Sequence, residues 1–271
     1  MGDMESSSTL SGAIQPKVSS LTQEIFMNVQ DSVALVTGAN RGIGTAYVEA
    51  LIQAGARRIY AAARNIDSLK DIVAIAPDRI IPVALDITDT AQVNAVAQAA
   101  QDVTLLINNA GVIGSGGLFT ASSVETAQWE MNTNYFGTLS MVRAFAPILQ
   151  KNGGGAIVNM MSVVSVANAP VFGSYSASKA ALNSLTQDIR AELATQGTKV
   201  VGVFPGPVDT AMTEGLPIQK VEPSQVAEAV LQALGAGLED VYPDPVSQGT
   251  FAAISEPLKA AEKQFAAWMP Q

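Results

Sequence analysis

The chain has no cysteine and no histidine in 271 residues. The first absence removes disulfides and thiolate chemistry and leaves the redox compartment open. Together the two absences exclude a His-based triad and a zinc centre built on Cys and His, so no metal site is expected. Basic residues are also few: 15 Lys and Arg stand against 24 Asp and Glu, a formal charge of −9. A nucleic-acid footprint needs a basic face, so nucleic acid is not an expected partner, and the acidic balance serves solubility. No run of about eighteen apolar residues occurs, so no membrane span is expected. The N-terminal stretch lacks the apolar core of a secretory signal and the arginines of a transit peptide, and a cytoplasmic location is expected.

What is present is apolar: 48% hydrophobic residues against 14% charged. At this length that composition fits one large domain with a buried core. Met1–Phe26 is rich in Ser and Thr and reads as a flexible tail, leaving residues 27–271 as a single domain. Short apolar runs at Val33–Thr37, Arg58–Ala63, Ile80–Leu85, Leu105–Ile107, Ala156–Met161, Lys199–Phe204 and Glu239–Tyr242 read as strands. Between them lie helical stretches at Thr90–Ala100, Ser122–Leu149, Tyr175–Thr195 and Gln225–Leu234, with a last one, Thr250–Trp268, interrupted by Pro257. Such alternation gives an α/β fold, doubly wound and Rossmann-like, with a mostly parallel seven-stranded sheet and helices on both faces.

The first strand runs into Gly38-Ala-Asn40-Arg41-Gly42-Ile43-Gly44 and then a helical run to Ala54. Glycines between a strand and a helix let the backbone approach a pyrophosphate, whose charge the helix N-terminus favours. The second strand ends Ala63-Arg64. An acid at that point binds ribose hydroxyls, whereas a neutral residue flanked by arginine accepts a 2′-phosphate, and Arg41 and Arg64 can form a clamp. NADP(H) is therefore the expected cofactor.

The proton chemistry is read from Ser174–Ala181. Tyr175 and Lys179 stand four apart in a helical run, on one face. An ammonium about 5 Å from a phenol, at an effective dielectric near 20, contributes roughly 3 kcal/mol, or about two pKa units downward. Ser162, at the end of the fifth strand, offers a hydroxyl to the carbonyl oxygen that Tyr175 would protonate, and Asn134 adds an amide from an earlier helix.

With Asn134, Ser162, Tyr175 and Lys179 at these spacings, and with its glycine turn, the chain resembles the classical short-chain dehydrogenase/reductase family from about Asp31 to Tyr242. The resemblance implies hydride transfer between NADPH and a ketone or aldehyde, or a secondary alcohol in reverse. In it Tyr175 is the acid/base, Lys179 lowers its pKa and holds the nicotinamide ribose, and Ser162 binds the carbonyl oxygen. Asn134 would kink its helix and hold a water on the path to solvent. It further implies that Asp86 and Ile87 flank the adenine and that Asn109, Ala110 and Gly111, in Asn108-Asn-Ala-Gly111, brace the sheet and line the ribose. Pro205, Gly206, Val208 and Thr210 would meet the nicotinamide.

The short segment Ala211–Val221 leaves the site open, and Val163, Val164, Val166 and Phe172 give it apolar walls suited to a small-molecule carbonyl or alcohol substrate. Family members pair through the helices carrying Asn134 and Tyr175, so a homo-oligomer, dimer or tetramer, is expected. Two rivals remain. A 3-oxoacyl-carrier-protein reductase would want a basic mouth, for which Ala211–Val221 offers only Lys220. A non-catalytic NADP-binding regulatory protein would have no need of Ser162, Tyr175 and Lys179 together.

Overall fold

The structure, a computed structural model, describes residues 27–121 and 123–254. Met1–Phe26, Ser122 and everything beyond Ile254, including Pro257, Phe265, Trp268 and Met269, lie outside the described residues. Seven strands among the described residues form one sheet: β1 (Val33–Thr37), β2 (Arg58–Ala63), β3 (Ile80–Ala84), β4 (Leu105–Asn108), β5 (Gly155–Met160), β6 (Thr198–Val203) and β7 (Asp240–Val241). Their spatial order is β3-β2-β1-β4-β5-β6-β7 and every pairing is parallel. Between them run α1 (Gly42–Gln53), α2 (Lys70–Ile75), α3 (Thr90–Ala99), α4 (Val124–Met131), α5 (Thr138–Lys151), α6 (Gly173–Leu193) and α7 (Pro223–Ala236), and α8 (Pro245–Ile254) follows β7.

A parallel sheet covered on both sides buries both sets of alternating side chains, which is why β1 reads as unbroken Val-Ala-Leu-Val. Ala34 and Val36 join Tyr47 and Leu51 of α1 and Val226, Val230 and Leu234 of α7 in one core. Val33 and Leu35 join Val96 of α3, Met141 and Phe145 of α5 and Leu182 and Ile189 of α6 in the other. The strand order reverses between β1 and β4, and the loops leaving these neighbours open a crevice at the carboxyl ends of the strands. The glycine turn and Asn108–Gly111 are those two loops.

Most elements start or end within two residues of the sequence reading, α2 is additional to it, and three differences have a local cause. The expected helix Ser122–Leu149 is broken by a π-helical turn at Asn132–Gly137 between α4 and α5. A π turn releases a carbonyl from the i→i+4 ladder, and here the Thr138 hydroxyl donates to the Asn134 carbonyl at 3.0 Å. The last helix starts at Pro245 rather than Thr250, because Asp244 caps it and Pro245 occupies its first position. Similarly α7 starts at Pro223, two residues before Gln225, and closes on Gly237 in the left-handed region.

Candidate active site

The glycine turn is shaped for close approach. Gly38 and Gly42 have φ of +64° and +54°. A Cβ on Gly44 would lie 2.0 Å from the Gly38 carbonyl oxygen, which no side chain tolerates. Arg41 precedes α1 without any side-chain cap, so the first N–H groups of the helix stay available to an anion. Asn40 and Ile43 are half-buried, with Ile43 packed on the core. These residues fit a dinucleotide pyrophosphate.

Thr37 was not singled out from sequence, yet it ties the two switch-point loops together. Its hydroxyl donates to the Ile107 carbonyl and accepts from the N–H groups of Asn109 and Ala110, both at 3.0 Å. The Asn109 amide donates to the carbonyls of Thr37 and Gly38. Asn108 donates to Asn159 and Asn159 to Thr186, a buried chain bracing β4, β5 and α6. The only signal for Thr37 was its place at the end of a strand before a glycine turn.

At the ribose end Ala63 is buried at the close of β2, while Arg41 and Arg64 are exposed and form no ion pair among the described residues. Asp86 is half-buried and accepts from the Thr88 N–H and hydroxyl at 2.9 and 2.7 Å. The side chain of Ile87 is committed to the core, close against Gly137 of the π turn. At the far end Val208 is buried and bridges to Val221, and Thr210 lies against Gly42.

Asn134, Lys179, Tyr175 and Ser162 come together below this crevice. Asn134 is fully buried: its Oδ1 accepts from the Val112 N–H at 2.8 Å, and its Nδ2 donates to the Val112 carbonyl and to Ser178 Oγ, both at 2.9 Å. A Cβ on Gly111 would lie 3.2 Å from Asn134 Oδ1 and 3.3 Å from Lys179 Nζ, so the two heads converge on this glycine. Lys179 Nζ donates to the Met160 carbonyl at 2.7 Å and sits 5.7 Å from the centre of the Tyr175 ring. Ser162 follows β5, with its hydroxyl 3.4 Å from the Pro205 carbonyl.

One expectation is reversed. Instead of being drawn down by Lys179, the Tyr175 phenol is pushed up to about 12. Burial is the main cause; the neighbouring Ser162 hydroxyl acts against it, and the Glu130 carboxylate adds to it. Burial acts on Lys179 as well and lowers it to about 8. Desolvation therefore dominates at both groups in the ligand-free chain, and the phenol holds its proton.

Glu130 is a second group that sequence reading missed. It lies one helical turn before Asn134 and is 1% exposed. Its Oε1 accepts from the Gly114 N–H at 2.6 Å. Asn134 and Glu130 therefore pin Val112 and Gly114, and Ile113 between them packs with Val163, Val164 and Tyr175. A glutamate on a helix with exposed neighbours carries no sequence signal for this.

The family model for short chain dehydrogenase matches residues 32–220. An uncharacterized oxidoreductase from Staphylococcus epidermidis is 35% identical over 215 residues, covering 76% of this chain and 92% of that protein. Among solved structures, a short chain dehydrogenase from Burkholderia cenocepacia in complex with NADP is 41% identical, with a TM-score of 0.84 over 90% of this chain and all of that one. A short chain dehydrogenase/reductase from Burkholderia phymatum in complex with NAD is 26% identical, with a TM-score of 0.78 over 90% of this chain and 99% of that one.

Proposed function

The chain belongs to the short-chain dehydrogenase family, and from that premise we propose that it is an NADPH-preferring carbonyl reductase acting on apolar ketones or aldehydes. The observation that carries this reading is the convergence of Asn134 and Lys179 on Gly111 beside a buried, protonated Tyr175. When bound, the cofactor supplies or accepts the hydride. Tyr175 gives its proton to the carbonyl oxygen as charge develops there, and Ser162 donates a hydrogen bond to the same oxygen. Lys179 holds positive charge beneath the phenol and stabilises the phenolate left behind. Asn134 and Glu130 fix Val112 and Gly114, and Ile113, Val163, Val164 and Phe172 pack with Tyr175 in one apolar cluster, which suits an apolar substrate.

Mixing the protein with NADPH and a panel of aryl and alkyl ketones, and following NADPH consumption, tests the proposal. Binding without turnover across the panel would make the chain a nucleotide-binding regulator instead. The acyl-carrier reading is disfavoured because Lys220, the one cation of Ala211–Val221, is 3.6 Å from Asp209 and its side chain is only 18% exposed. No helix among the described residues is long and apolar enough to cross a membrane.

Preference for NADPH rests on neutral Ala63 and on Arg41 and Arg64, exposed on the rim of the crevice. A hydrogen bond to a charged group contributes about 1.5–3 kcal/mol, so one guanidinium on a 2′-phosphate gives roughly tenfold to a hundredfold discrimination, reduced by salt. Arg64→Ala should lower kcat/KM with NADPH and leave NADH nearly unchanged, and Ala63→Asp should shift the ratio towards NADH. Equal kcat/KM for the two cofactors in the parent chain would refute the assignment.

Association through α4, α5 and α6 is part of the same proposal. Trp129 and Phe136 are exposed beside a shallow hollow of about 720 Å³. Ala180, Ala191 and Ala194 are exposed on α6 and the turn that follows it, where small residues permit close approach. Light scattering should give a dimer or tetramer; a monomer at micromolar concentration would defeat this.

A further inference from the structure

The Pro205–Gly206 peptide is gripped at both of its polar ends. Its carbonyl accepts from the Val163 N–H at 2.9 Å and lies 3.4 Å from the Ser162 hydroxyl. Its N–H, on Gly206, donates to Asp244 Oδ2 at 2.7 Å. Asp244 is 1% exposed, and its other oxygen accepts from the Ser247 N–H at 2.9 Å at the start of α8. A buried carboxylate is costly unless hydrogen-bonded, and two N–H groups offset that cost here. Nothing larger than glycine fits at the contact, because a Cβ on Gly206 would lie 2.6 Å from Asp244 Oδ1 and 2.9 Å from Val246 Cβ. At the other end of α8, Ile254 packs against the cluster of Val163, Val164 and Tyr175.

We propose that Asp244 is a positioning residue that sets the orientation of the Pro205–Gly206 peptide, and through it both the nicotinamide turn and the catalytic Ser162. Rotating that peptide would break the Asp244 contact and the Val163 contact together. The carboxylate therefore links the start of α8 to the loop that carries Ser162, across some eighty residues of sequence. The inference rests on the hydride-transfer reading, but its first readout, NADPH binding, needs no turnover.

Asp244→Ala and the near-isosteric Asp244→Asn should be compared with Ser247→Ala. Asn can accept from only one of the two N–H groups that Asp244 serves. Both Asp244 variants should weaken NADPH binding, read by cofactor fluorescence, by about tenfold, and should lower kcat as well as raise KM for the ketone. Ser247→Ala removes the hydroxyl that bonds the Asp244 backbone but keeps the N–H that bonds its carboxylate, so it should lower the melting temperature and weaken NADPH binding less than either Asp244 variant. A folded Asp244→Asn with NADPH affinity and kcat within twofold of the parent would overturn the proposal, and this variant decides the matter if Asp244→Ala does not fold. A parent chain that binds NADPH yet reduces no ketone would remove the oxidoreductase reading and leave the binding comparison standing.

Discussion

Tyr175→Phe should fold, bind NADPH with nearly the parent affinity and lose at least about a hundredfold in kcat. Burial holds the phenol's proton up to about 12, which keeps it in the form a reductase needs. No neighbour replaces it: Lys179 Nζ is engaged by the Met160 carbonyl, and Ser162 is an ordinary alcohol near the Pro205 carbonyl. The substitution preserves the ring that packs with Val163, Val164 and Ile113 and removes only the hydroxyl. Steady-state kinetics beside a cofactor titration separates the two effects. Retention of more than about a tenth of kcat would move the proton to another donor.

Lys179→Met should lose turnover to a comparable degree and yet cost little stability at neutral pH. Lys179 is 4% exposed, and burial lowers it from 10.5 to about 8. Below about pH 8 the folded and unfolded chains both carry its proton, and the full burial penalty opposes folding. Between about 8 and 10.5 the unfolded chain keeps the proton that the folded chain releases, so this group's contribution to stability rises with pH. The whole rise is about 3 kcal/mol. Removing the lysine relieves that penalty but strands the Met160 carbonyl, at about 1–3 kcal/mol, so the two nearly cancel at pH 7. Urea unfolding at pH 7 and pH 10 is the measurement. The parent should gain stability relative to the variant as pH rises; parallel behaviour would show that Lys179 is not desolvated in the folded chain.

Much of this molecule follows from short-range pattern. The strands, the alternation with helices and the glycine turn are legible because apolar runs, residue size and backbone freedom act over a few residues. Tyr175 and Lys179 share a face because the helix repeat puts them there. Asp89 at the cap of α3 and Gly197 closing the turn after α6 are equally local. Ser162 and Asn134 could be singled out by their place in the chain and received their roles from the family resemblance, but their meeting with Tyr175 and Lys179 depends on where β5 and the π turn stand in the sheet and helix layer. Other features were decided only by the fold. The sign of the shift at Tyr175 depends on how much water its neighbours exclude, which no spacing encodes. Thr37 joins two loops seventy residues apart, Glu130 reaches back to Gly114, and Asp244 reaches Gly206 from a separate connection. Each is a single polar side chain whose partner is a backbone N–H or carbonyl. Backbone groups are the same at every position, so no residue pattern marks the partner until the chain has folded and brought the two together.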